Sequence, residues 1–233
     1  MSSLESMYDI EFKNETGKSY GMIFKDSPRI TFSKNKYRST AVNGKIGDLV
    51  SLISGKSNAI IECDFWIISD ELHESIRKIS QWLSGSGKLF FSDNTDAYYE
   101  VLVVESVQTT KKTLKVGSCT VKFVVFPYEF LNDGQRERAL IEYNGCSECL
   151  PTYRIKGNGQ CVLSVNGKSF IVDVPGTIII DTRRMQSYKA DMTNANTLAK
   201  GNYEDLIIPN GNVNITISDG FELTIIPNWG YLL

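Results

Sequence analysis

The sequence predicts a mainly β protein in two domains. Three observations carry that expectation. Apolar and polar residues alternate with a period of two over several segments. Asn-Gly or Asp-Gly pairs, which favour the positive φ angles of tight hairpin turns, recur at seven places. Only one segment carries the 3.6-residue period of an amphipathic helix. The expected architecture is an N-terminal β domain, residues 1–132, with one amphipathic helix and a projecting arm. A C-terminal β-sandwich, residues 133–233, follows it.

The elements follow in chain order. The first ten residues have neither a basic n-region nor an apolar h-region, so no signal peptide is expected and the chain is predicted to be made in the cytosol. Residues 8–12 alternate and predict a strand. In residues 44–55, Gly44, Gly47 and Gly55 with Asp48, Ser51 and Ser54 predict a long projecting arm, not core. Residues 59–68 and 98–107 are β-branched and aromatic, which suits strands. Leu72, Ile76, Ile79 and Leu83 form one apolar stripe. Ser69 or Asp70 is expected to cap that helix and Gly85 to end it. In residues 119–126, Cys119, Val121 and Phe123 point one way while Thr120 and Lys122 point the other. A polar stretch, residues 132–138, marks the domain boundary.

Beyond residue 150 the rhythm shortens. Residues 152–156, 161–165, 169–174, 177–181, 213–218 and 222–226 read as compact strands. The clearest hairpins are Val165-Asn-Gly-Lys168 and Ser218-Asp-Gly-Phe221, since alternating strands flank each turn.

Composition narrows the chemistry. The formal charge is −2, which argues against a strongly basic nucleic-acid binder. One histidine, His73, excludes every multi-histidine metal site, and its place on a charged helix flank beside Arg77 and Ser80 predicts a solvated ring. Cys146 and Cys149 form the one metal-like spacing, but zinc needs two more ligands at a matching distance. Two reduced thiols in a loop is the expected state, and five cysteines is the wrong number for a secreted disulfide framework. Gly157-Asn-Gly159 lacks the rest of a phosphate loop and predicts a tight turn. Asp93, Asp96 and Glu100, or Glu204 with Asp205, could pair as a hydrolase's carboxylates, against the competing reading that acidic pairs sit on solvated faces. No catalytic residue, cofactor or metal is assigned. Tyr143, Tyr153, Tyr188 and Tyr203 are candidates for stacking on sugar rings, against the competing reading that they pack the core.

Nine segments, in order along the chain, resemble the distal tail protein (Dit) family of phages with long non-contractile tails that infect Gram-positive bacteria. Ser19-Tyr-Gly-Met22 before Pro28 resembles the family's opening strand, and Ala41-Val-Asn-Gly-Lys-Ile-Gly-Asp-Leu49 its V-x-G-[RK]-x-G-x-L segment. Ile76-Arg-Lys-Ile-Ser-Gln-Trp-Leu83 and Lys88-Leu-Phe-Phe-Ser-Asp93 resemble its helix and the strand after it. Phe123-Val-Val-Phe-Pro-Tyr128 resembles the end of its first domain. Tyr143-Asn-Gly145, residues 151–157, residues 177–181 and Ile226-Pro-Asn-Trp229 resemble its second. Two features depart from the pattern: Asn228 stands where a basic residue is usual, and the Cys146/Cys149 pair has no counterpart.

The resemblance implies a homo-hexameric ring in the virion, with no enzymatic activity. The N-terminal domains would form the ring, with the arm as a belt reaching the next subunit; Val42, Gly44, Gly47 and Leu49 would belong to that interface. The C-terminal domains would be galectin-like or carbohydrate-module-like sandwiches splayed outward. The ring would join the tail-tube protein to the tail-tip hub protein and could carry receptor-binding proteins. DNA would pass through the channel without specific binding, and no membrane is involved. A carbohydrate-binding module for host cell-wall polysaccharide is the alternative reading.

Overall fold

A computed structural model describes residues 8–233. Seven of the ten residues that carry the expectation of no signal peptide, residues 1–7, lie outside the described residues. The chain divides into two units. One runs to Glu129 and takes in Leu233; the other spans Phe130–Leu232.

In the first unit, β1 (Ile10–Phe12) turns through Lys13 and Asn14, both at positive φ, onto β2 (Glu15–Thr16). After β3 (Met22–Phe24) and β4 (Arg29–Thr31) come β5 (Asn35–Thr40) and β6 (Leu49–Lys56). Then β7 (Ala59–Ile68) and α1 (Leu72–Trp82) lead to β8 (Gly87–Phe91), β9 (Asn94–Lys111) and β10 (Val116–Leu131). The main sheet runs β2-β1-β8-β9-β10-β7-β3, with β4 also on β7.

The expected alternation is what builds this core. Antiparallel pairing sets Cys119 against Phe65, Val121 against Cys63, Phe123 against Ile61 and Val125 against Ala59, all buried on one face. The helix stripe closes over the same cluster through Leu72, Ile79 and Leu83, with Ile76 at its margin. Trp82 joins them, and its indole N–H donates to the Phe12 carbonyl at 2.8 Å. The cap differs from expectation. Residue 71 occupies the cap position without a side-chain bond. The Ser69 hydroxyl takes the Glu71 N–H at 3.1 Å, while Asp70 pairs with Lys115 at 2.7 Å. Asp70 thus exchanges a backbone partner for a charged one on the loop before β10.

In the second unit, β11 (Tyr143–Asn144) precedes β12 (Thr152–Val165) and β13 (Lys168–Asp181). The remaining strands are β14 (Gln186–Lys189), β15 (Ala199–Lys200), β16 (Gly211–Asn212), β17 (Ile215–Ile217), β18 (Glu222–Ile226) and β19 (Gly230–Leu232). Four of the expected short strands fuse pairwise into β12 and β13. These pair without a break from Val165↔Lys168 to Thr152↔Asp181. The Asn166-Gly167 turn between them has φ 48° and 83°, the conformation its sequence favours.

Gly157 and Gly159 sit inside β12 at positive φ, not in a tight turn between strands. They divide the hairpin into halves with different neighbours. The 152–156 half pairs with β18 and the 161–165 half with β17. Across the hairpin, β13 takes β14 near residues 178–181 and β15 at residues 171–172. Ser218–Phe221 is therefore a correction. Its flanking strands both pair with β12 and not with each other, so the Asp219-Gly220 turn is a jog along one edge. The Phe221 ring fills the space a Cβ at Gly157 would need, which explains why that bend holds glycine. Both halves present the same parity to one core: Tyr153, Ile155, Cys161 and Leu163 from β12, Phe170, Val172, Ile178 and Ile180 from β13.

Candidate functional site

The most conspicuous surface is the arm. β5 and β6 pair only with each other, in a two-stranded sheet of their own. All described side chains from Lys34 to Ile53 are exposed. The arm begins at Asn35, earlier than the Gly44 expected, because Asn35-Lys-Tyr-Arg-Ser-Thr40 is too polar to announce a strand. The four candidate interface residues lie at its tip. Gly44 and Gly47 take φ 80° and 79° in the loop, Val42 stands just before them and Leu49 opens β6.

The arm is also apolar. Tyr37, Val42, Ile46, Leu49, Val50, Leu52 and Ile53 are all large and exposed, with Ile46 entirely so. A two-stranded ribbon with this composition and no core behind it loses most of its hydrophobic gain to solvent. Covering it against another chain would recover roughly 25 cal/mol per Å² of apolar surface. Its basic residues Lys34, Lys36, Arg38, Lys45 and Lys56 form no ion pair among the described residues, and its single carboxylate, Asp48, accepts the Ser39 hydroxyl.

The tyrosines expected to stack on sugars fare unequally. Tyr153 is a correction: it is fully buried, and its hydroxyl donates to the Leu206 carbonyl at 2.8 Å. Burial also raises its hydroxyl well above the ordinary tyrosine range. Tyr203 packs on Phe170 and shares hydrogen bonds with Ser187 and Asn196. Tyr188 is half-buried, bonded to Asp181 at 3.3 Å. Only Tyr143 is open, at 62% exposure, and one ring is not a platform.

The remaining candidates separate. His73 is exposed on α1, and its Nε2 contacts the Lys111 Nζ of β9. Asp205 pairs with Lys168 at 3.1 Å. Cys149 is buried and its thiol is pushed up to about 12, chiefly by that burial, while Cys146 is half-buried in the loop after β11. Among the described residues no group of three or more His, Cys, Asp or Glu is placed to hold a metal ion. Among the described residues no helix is long and apolar enough to cross a membrane. Sequence reading missed the buried Asn144. Its amide donates to the Ser147 carbonyl at 2.9 Å and the Pro209 carbonyl at 3.1 Å, and its oxygen accepts the Cys146 N–H at 2.9 Å. It ties together the loop that holds the cysteine pair. An Asn followed by Gly reads as a turn, and nothing in the sequence marks it as buried.

No family model matches the sequence, and no curated protein matches it. Solved structures do. The chain superposes on the crystal structure of SPP1 Dit (gp 19.1), described as a paradigm of the hub adsorption apparatus in Gram-positive infecting phages. The TM-score is 0.69, and the match covers 94% of this chain and 98% of that one. The fold is a Dit fold. Sequence identity is 13%, so the Dit fold is preserved here on an almost wholly different set of side chains. Of the motifs that resemble the family, this structure places Trp82 and Phe123 in the core of the first unit and the Val42–Leu49 loop at the arm tip.

Proposed function

We propose that this chain is a structural protein of a phage tail tip that assembles into a hexameric ring. The observation that carries the reading is the Dit fold over nearly the full length of both chains. The arm supports it independently. An exposed apolar ribbon joined to a folded sheet at one end suits a head-to-tail contact, in which each subunit gives its arm to the next and the rotation closes. On this reading the ring joins the tail tube to the tail-tip hub and carries receptor-binding proteins at its outer units. Duplex DNA passes through it, and the near-neutral chain keeps the channel from holding phosphates by counterion release. The protein then resides in the virion and has no catalytic role.

Electron micrographs of the purified protein test the reading. Rings with a central hole wide enough for duplex DNA are expected. Isolated single chains, both alone and mixed with the tail-tube protein of the same phage, would sink it.

A further inference from the structure

The first unit holds an open pocket of about 720 Å³ that the arm leaves empty in its own chain. Its floor is aromatic. Phe91 and Tyr99 are nearly buried there, and the Tyr8 ring lies stacked on Phe91 with centroids 5.7 Å apart. Three carboxylates line it: Asp26, Asp93 and Glu129. None of the three forms an ion pair among the described residues. Glu129 is half-buried and is held in place through one oxygen, which accepts the Tyr99 hydroxyl at 2.9 Å and the Asn94 amide at 3.2 Å. The one cation of the lining, Lys25, sits over the Trp66 ring at 5.5 Å instead of neutralising them. Carboxylates held beside aromatic faces suit an ammonium or guanidinium, which gains an ion pair and a cation–π contact together.

The same unit carries the complementary surplus. The arm has five cations and one carboxylate over residues 34–56. The pocket's carboxylates and the arm's cations, none of them in an ion pair among the described residues, are complementary in charge, which suits a contact between copies.

We propose that this pocket receives a basic side chain from the arm of a second copy of this chain, its charge paired with Asp93 and Glu129 over the Tyr8–Phe91–Tyr99 floor. The proposal rests on the reading of the arm as an inter-subunit element and names its acceptor. The contact is heterologous, arm to pocket, as a closed ring requires. Because the attraction involves exposed charges, it weakens as salt rises.

The test uses the full chain and two variants. Asp26→Asn/Asp93→Asn/Glu129→Gln neutralises the pocket while leaving an acceptor for Tyr99, so folding is kept and checked by an unchanged thermal midpoint. Lys36→Glu/Arg38→Glu/Lys45→Glu reverses the arm. Sedimentation velocity should show each variant needing about tenfold more protein to assemble than the wild type. A third chain, Asp26→Lys/Asp93→Lys, mixed with the arm variant should restore assembly. If the pocket variant assembles like the wild type while the arm variant does not, the arm reading stands and the pocket proposal falls. If the wild type remains a single chain, a synthetic peptide of residues 34–57 decides. Saturable binding lost in the pocket variant upholds the pocket as acceptor although the ring reading has failed; no binding overturns it.

Discussion

Asp64 is held by two neighbours that sequence could not pair with it. The Thr120 hydroxyl donates to it across β7 and β10, and Arg29 from β4 reaches it at 2.8 Å. The Thr120 bond first, with Arg29 behind it, holds this carboxyl below its usual range against the opposing cost of burial. A carboxyl lowered by folding stabilises the native state fully above its unfolded pKa, about 3.9, and loses that contribution as pH falls through the folded value. The stability difference between the wild type and Asp64→Asn should therefore be greatest near neutral pH and shrink below about pH 4. Urea denaturation at a series of pH values checks this; a constant difference down to pH 2 would contradict it.

Thiol chemistry belongs to the same scale. Cys63, Cys119, Cys149 and Cys161 are buried, and desolvation raises all four thiols, Cys119 to about 12. The thiolate is the reactive form. An aromatic disulfide reagent at pH 8 should modify Cys146 alone in the native protein and all five cysteines in denaturant. Rapid reaction of two or more native thiols would contradict the burial of the others. Composition predicted mostly buried, reduced thiols. Which one is open depends on how Asn144 gathers its loop, and that was not legible.

At the element scale, periodicity carried the most information. Residues 59–68 form a strand with those bounds because alternate side chains enter one core, and the stripe from Leu72 to Leu83 forms the helix because its apolar spacing matches the turn. What failed was continuity. Gly157 and Gly159 look like strand breakers, yet hydrogen bonding to β13 continues through them, so a glycine pair can mark a bend as well as an end. The first strand of the arm was hidden for a different reason. It buries nothing, and alternation reports burial. That exposure yields a prediction. Ile46→Ser/Leu49→Ser/Leu52→Ser should change unfolding stability by less than about 0.5 kcal/mol, as exposed substitutions do, while abolishing assembly. A large loss of thermal stability in the unassembled chain would mean that the arm packs on its own subunit.

At the scale of the whole molecule, the chain takes up a Dit fold at 13% identity, and in this chain the fold makes only a few demands. Those are alternating faces on β7 and β10, one helix over the sheet, a long hairpin that pairs through its glycine bends, and turns where positive φ is needed. Each demand is a pattern and not a set of residues, so it survives replacement of most side chains. The proposed assembly is different in kind. Its contacts depend on which apolar and charged residues are left over once the fold is satisfied, and the sequence does not separate those from the core. The arm's tip motif was legible; its exposed apolar residues and the acidic pocket became visible only when burial was known.

The central claim, that the arm closes this chain into a ring, is tested most directly by native mass spectrometry at micromolar concentration. The account predicts a six-subunit species of about 157 kDa, built from the 26.1 kDa chain and replaced by single chains in the Ile46→Ser/Leu49→Ser/Leu52→Ser variant. A wild type that stays at the mass of one chain, and that also fails to assemble with its tail-tube protein, would contradict it.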